Sequence, residues 1–594
     1  MTEAEKNYIQ PFLAGTSHTS QAYFGVHEQN GEFVFRVFAP NATSVMLTGD
    51  FNGWRDDIAL EKTHECGVWE VSVPYGRISY GDRYKYRIYG CGQLHYKSDP
   101  YSAALSPSPD NSSVVCKENG YAWKDSGWLA YRPKYQKNIA SKPVNIYEVH
   151  LGSWKRYGRG GLNYKEYARE LAPYVKQMGY THVCLLPITE AFDDNMLDYA
   201  PSSLFAPTSK YGKPDDLKGF VDKLHEAGVG VIFDMPIARF PMERYGLYEF
   251  DGAMLYERDT DEHRRHFDLT KNLVKSFLLS SVSYWVSEYH ADAIRISDVD
   301  ELLRFYGESD QNIAKSFLKS LTKTVKKLYP DVLLLAEGAG VDMGFDLVFD
   351  GAWSDRLLEY SATEFCARAN LSKIIARNIS NNNIGTLSIP HVDPKLCKAS
   401  FIEAMAGDYW QKFAGLRALW GLTMTARGKK LSFMGNEIAQ FKSWSFEREL
   451  EWFLLDFDSH EKLQRYVAEL NNLYLAHPAL WQRDANSEGL CFVSEDTLEQ
   501  DVLIFRRSTR GEELVVVANL SPIAYEEYRI GAHSDGVLRE IFNSDEVKYY
   551  GGGIINESDI ETQPIAYHGY KNSFVMRIPP LAVSVLAFGK NKNK

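Results

Sequence analysis

Apolar and polar positions along the chain follow two rhythms. Between about residues 21 and 125, runs such as EFVFRVFAP, SVMLTGDFNGW, GVWEVSVP and YKYRIYG alternate faces between turn signals. That period of two predicts short antiparallel strands and hence a β-sandwich. A Pro- and Lys-bearing stretch, YRPKYQKNIASKP (131–143), predicts a linker. From 144 to 480 short apolar runs recur instead: 145–151, 182–188, 229–235, 291–297, 332–338, 346–352, 385–391 and 430–436. Helical patterns separate most of them. One places Ile313, Phe317, Leu318, Leu321, Val325 and Leu328 on a single face ahead of the fifth run. Eight strands with helical crossovers predict a (β/α)8 barrel whose site lies at the C-terminal strand ends. Periodicity alone also admits an open doubly wound sheet. From 486 to 594 alternating strands return (DVLIFRRS, ELVVVANL, LAVSVLAFG), predicting a second, structural β-sandwich. The expected fold is thus a multidomain α/β chain, a central barrel (144–480) between an N-terminal β-sandwich (21–125) and a C-terminal all-β sandwich (486–594).

Composition narrows the partners. A length of 594 residues suits about three or four domains. The net charge of −12 argues against nucleic acid and anionic membranes, which would repel the chain. The 37 Tyr and 12 Trp serve either as core packing or as stacking platforms for sugars. Seven cysteines, scattered and without a CxxC pair, suggest reduced thiols in a cytoplasm and no zinc site. No carboxylate or His cluster has ligand spacing, so no metal and no cofactor are expected. The N-terminus lacks a signal pattern and no apolar run is long enough to span a membrane, which predicts a cytoplasmic protein.

Several longer segments resemble one family. FRVFAPNATSVMLTGDFNGW (35–54) looks like the starch-binding sandwich, and VNIYEVHLGSW (144–154) like the first barrel strand, of the glycogen (1,4-α-glucan) branching enzymes in the α-amylase superfamily. LDYAPSSLFAPTSKYGKPDDL (197–217) and EFDGAMLYE (249–257) resemble their next loops. GDYWQKFAGLRALWGL (407–422) with GKKLSFMGNEIAQ (428–440) is the most specific match. The likeness spans nearly the whole chain. HLGSW and GNEIAQ resemble the branching group rather than debranching or trehalose-forming relatives.

The resemblance implies a retaining mechanism, in which two carboxyl groups about 5–5.5 Å apart attack the anomeric carbon and protonate the leaving oxygen. Glu337 matches the acid/base position, and Tyr199, Asp234, Arg295 and His391 match substrate-binding positions. Asp234 and Arg295 could equally form a structural ion pair beneath the site. Trp54 and Trp69 are the candidate sugar platform of the N-terminal sandwich.

The departures are equally specific. Ser297 stands where the nucleophilic aspartate belongs, Val392 where a third carboxylate belongs, and Arg239 where a sugar-binding histidine belongs. A hydroxyl needs a base to attack; Glu337 is the obvious one, and it cannot be base and acid in one step. Arg239 is expected to favour an anion over a neutral sugar. The segments after the fourth, fifth and sixth strands look short, and HFDLTKN (266–272) replaces an expected turn. Asp298 and Asp393 follow the substituted positions one residue late. Strand alternation turns them away from the barrel axis unless a bulge re-aims them, and coincidence accounts for them equally simply.

These observations predict a non-catalytic branching-enzyme homologue that binds α-1,4-glucan or an oligosaccharide, or regulates glycogen-metabolising enzymes. One alternative is an active branching enzyme using Asp298 and Asp393 with Glu337. The other is a scaffold that has lost glucan affinity.

Overall fold

The computed structural model describes residues 3, 5–117, 120–158, 160–191, 199–258, 264–338, 340–349, 351–381, 385–389 and 400–589. Eight strands follow one another in chain order round a closed barrel: β1 Asn145–Val149, β2 His182–Leu185, β3 Gly230–Met235, β4 Ala293–Ile296, β5 Leu333–Glu337, β6 Leu347–Phe349, β7 Gly385–Ile389 and β8 Lys429–Phe433. They coincide with the eight apolar runs, because a strand covered on both faces must be apolar almost throughout. Closure of the barrel excludes the open doubly wound sheet.

By internal contacts the chain forms two compact units. One comprises Met1–Lys134, Arg156–Ala172 and Cys184–Phe345. Its N-terminal strands Gly25–Gln29, Glu32–Phe38, Val68–Pro74 and Glu61–His64 pair in that order, and Ile58–Ala59, Ala42–Gly49, Arg83–Gly90 and Gln93–Lys97 make a second sheet. Phe35 from the first sheet meets Tyr84 from the second edge-on at 5.0 Å. The hydroxyls of buried Tyr84 and Tyr86 both donate to buried Asp99, at 2.9 and 3.1 Å, so the core's polar atoms are matched.

In the same unit β3, β4 and β5 run parallel, with Asp234 opposite Arg295 and Arg295 opposite Leu335. The helix Val299–Leu328 ahead of β5 is interrupted at Gly307, where φ is +61°. Phe317, Leu318, Leu321 and Val325 of its predicted face are buried, but Leu328 at its end is 37% exposed. The linker expected at 131–143 is not a linker throughout: a helix, Ser126–Gln136, runs into it. That helix is held by tertiary bonds that sequence rhythm does not carry. The Trp128 indole donates to Asp292 at 2.8 Å, and Arg132 donates to Ala291 O at 3.2 Å and to Asp331 at 2.8 Å.

The second unit comprises Tyr135–Lys155, Pro173–Val183 and Asp346–Lys594. It carries β6, β7, β8 and β1, paired in parallel in that order. Its Glu437, in the GNEIAQ segment, is fully buried and accepts from Tyr147 Oη (2.7 Å), Tyr174 Oη (2.8 Å) and the Gly435 N–H (2.8 Å). Burial still pushes its carboxyl above the usual range. The C-terminal strands form a six-stranded and a two-stranded sheet around Val502, Ile504, Val517, Phe574 and Leu586. Among the described residues no helix is long and apolar enough to cross a membrane.

Candidate functional site

Because β3, β4 and β5 are adjacent and parallel, their C-terminal ends bring Asp234, Arg295 to Asp298, and Glu337 to one edge of the sheet. Asp234 is the hub. Arg295 Nη2 donates to its Oδ2 at 2.6 Å, and Ser297 Oγ donates to its Oδ1. The ion pair beneath the site, an open alternative from sequence, is therefore formed. All three side chains are buried, Ser297 to 1% exposure. A buried carboxylate is tolerable here because a guanidinium and a hydroxyl both donate to it. The base facing Ser297 is thus Asp234 and not Glu337, and the hydroxyl points into the protein.

Strand alternation predicts that Asp298 turns away, or that a bulge re-aims it. The backbone does neither. Asp298 adopts a left-handed conformation (φ +54°, ψ +31°) and starts the helix Val299–Leu328. It makes no side-chain cap to that helix. Its Oδ2 lies 3.3 Å from Arg239 Nη2, and Arg239 Nη1 is bonded to Glu301. Arg239 is delivered by the short strand Arg239–Pro241, which pairs with Arg264–Phe267 so that Arg239 stands opposite His266. His266 stacks on Phe305 at 3.7 Å, with Nε2 3.6 Å from Glu301. The anion preference expected of Arg239 is overturned: one guanidinium already faces two carboxylates.

Glu337 ends β5 half-buried, and the residue after it must be glycine. Gly338 has φ +89°, and a Cβ there would lie 2.2 Å from Asp300 Oδ2. Tyr199 is half-buried in the same unit. His391, Val392 and Asp393 lie outside the described residues. In the N-terminal sandwich the two tryptophans part company. Trp69 is buried and its indole donates to Ala39 O at 3.0 Å, so it belongs to the core and offers no face to a sugar. Trp54 is 37% exposed, with its indole on Asp50 at 3.1 Å and the Arg83 guanidinium 5.9 Å from its ring. No shared platform forms.

Glu301, His266 and Asp300 were not singled out from sequence. The signals available were Glu301 three residues after Asp298 at a helix start, which shares a side with it, and the histidine of HFDLTKN. Among the described residues no group of three or more His, Cys, Asp or Glu could hold a metal ion.

A barrel of this kind with glucan-type β-domains defines the α-amylase class, and comparison with known proteins agrees. Residues 23–102 match carbohydrate-binding module 48 (isoamylase N-terminal domain), and residues 492–589 match the alpha amylase C-terminal all-beta domain. Pullulanase type I from Bacillus subtilis, solved with maltose, shares the fold with a TM-score of 0.75 at 18% identity, over 96% of this chain and 85% of that one. A putative alpha amylase from Salmonella typhimurium gives 0.72 at 16% identity, over 96% and 100%. The 1,4-alpha-glucan branching enzyme GlgB of Desulfitobacterium hafniense is 36% identical over 98% of this chain and 97% of its own. That of Aquifex aeolicus is 37% identical over 97% of both. The chain belongs to the 1,4-alpha-glucan branching enzyme family.

Proposed function

We propose that this protein binds α-1,4-glucan and does not transfer it. The relatives it matches end to end are named 1,4-alpha-glucan branching enzymes, which supplies the substrate class. The observation that carries the loss of catalysis is Ser297, a buried hydroxyl donated to Asp234 at the position where the family's mechanism requires a carboxylate. Retaining transfer needs a nucleophile that reaches the anomeric carbon opposite the acid. A serine oxygen buried against a carboxylate has no such approach. The neighbouring carboxylate does not stand in for it: Asp298 faces Arg239, so its charge is committed to an ion pair. In this reading the N-terminal sandwich (21–125) and the barrel (144–480) contact glucan, Glu337 is a relic of the acid, and the C-terminal sandwich (486–594) is structural.

The test is incubation with amylose, counting branch points as new chains released by a debranching enzyme, beside co-sedimentation with glycogen. The expected result is glycogen retention without branch points above the protein-free blank. Turnover that Glu337→Gln abolishes would overturn it. If Asp298→Asn also abolished that turnover, the active alternative through Asp298 would replace it.

A further inference from the structure

The edge of the N-terminal sandwich carries an aromatic cluster that the glucan-enzyme resemblance does not use. Glu28 and Phe33 are cross-strand neighbours on Gly25–Gln29 and Glu32–Phe38. Phe33 is buried, and two tyrosines pack on its ring: Tyr75 at 5.1 Å with the rings inclined by 55°, and Tyr80 at 5.4 Å and perpendicular. Both reach the surface, at 45% and 43% exposure. Tyr75 is fixed by its own backbone N–H, which donates to Gly31 O at 3.1 Å, in a turn that continues through Gly76 at φ +92°. The hydroxyls of both tyrosines donate to the exposed Glu28 carboxylate. That shared acceptor pushes the Tyr75 phenol up to about 12 and pulls the Glu28 carboxyl down, so the clamp holds at neutral pH.

Exposed tyrosines ordinarily retain rotamer freedom that a ligand must remove on binding. These two are already immobilised, below by Phe33 and at the tip by Glu28. Their rings present apolar faces beside a carboxylate that accepts hydrogen bonds and phenolic oxygens whose protons are committed to it. Apolar faces bordered by hydrogen-bond acceptors match the surface of a pyranose chain, which shows C–H patches rimmed by hydroxyl donors.

We propose that Tyr75, Tyr80 and Glu28 form a binding site for an α-1,4-glucan chain on the N-terminal sandwich, separate from Trp54. The site rests on the glucan-binding reading above. Trp54 belongs to a different turn, with Asp50 and Arg83 as its partners, so the two positions are testable independently.

The experiment uses the full chain in affinity electrophoresis through glycogen-containing gels and in calorimetric titration with maltoheptaose. The Tyr75→Ala, Tyr80→Ala double variant is expected to weaken glycogen binding about tenfold or more, two exposed ring contacts being removed. Tyr75→Phe with Tyr80→Phe keeps both rings on Phe33 but releases the Glu28 clamp, and is expected to lose roughly threefold. It also carries the test should the alanine variant fail to fold. In a Trp54→Ala background the same losses are expected. If wild type binds glycogen and both tyrosine double variants bind it equally well, this site is overturned and the glucan-binding reading stands. If wild type does not bind glycogen at all, that reading falls and the site falls with it.

Discussion

Ser297 Oγ and Arg295 Nη2 take one oxygen each of Asp234, in a place closed to water. Removing the hydroxyl leaves a buried carboxylate oxygen one donor short, so Ser297→Ala is expected to cost about 1–3 kcal/mol in urea unfolding. Ser297→Asp restores the family's residue but sets a second carboxylate against Asp234. We expect it to destabilise more than alanine does, by about 3 kcal/mol or more, because one of two adjacent buried carboxylates must take up a proton. A Ser297→Asp protein as stable as wild type would mean that this pocket opens to solvent. Trp69 teaches a related lesson in the sandwich. Its residue type suggests a sugar platform, but its indole bonds a backbone carbonyl in the core, so Trp69→Ala should cost about 3–5 kcal/mol by truncating a buried ring.

Three element ends set the environment of Asp298. The helix Val299–Leu328 begins with a left-handed turn at Asp298, the strand Arg239–Pro241 supplies the guanidinium, and β5 runs out at Gly338 against Asp300. The Arg239 cluster is partly exposed, so its bonds are screened and individually modest. A double-mutant cycle of Arg239→Ala with Asp298→Asn should return a coupling of about 1 kcal/mol, and none if the pair only coexists. Gly338→Ala is expected to cost about 2–3 kcal/mol, since the added methyl meets Asp300 Oδ2 on a backbone already at positive φ. Asp300→Ala in the same chain should recover only the steric part of that loss.

At the scale of the molecule, one buried network ties together segments far apart in sequence. His225 of the helix Pro214–Glu226 donates through Nδ1 to Asp125 at 2.9 Å and through Nε2 to Asp292 at 3.0 Å. Burial opposes its protonation, but the Asp292 and Asp125 carboxylates outweigh that and raise it to about 9. A histidine raised in the folded state adds stability fully present below its unfolded value of about 6.5 and lost as pH rises through about 9. Folding stability should therefore fall by about 3 kcal/mol across that interval, and His225→Gln should flatten the decline measured by urea titration at several pH values. The triple reversion Ser297→Asp, Val392→Asp, Arg239→His is expected not to recover branching. It places like charges together at Asp234 and strips Asp298 and Glu301 of their guanidinium, so the surroundings have adjusted to the substitutions.

The barrel and its two β-domains were legible in the chain itself because their signals are local. Period-two alternation and short wholly apolar runs reflect which faces each strand must bury, and all eight barrel strands lie at their predicted runs. Motifs carried the family, and register alone placed Asp234 beside Arg295. What only the tertiary structure decided depends on groups distant in sequence. Asp298 points where one left-handed φ and a guanidinium 59 residues away direct it. Trp69 is inside because the opposite sheet covers it, and the helix entering 131–143 forms because Asp292 and Asp331 hold it. Ser297 likewise reads in sequence as a lost nucleophile; in the fold it is a hydrogen-bond donor to Asp234, because burial leaves its hydroxyl that one partner.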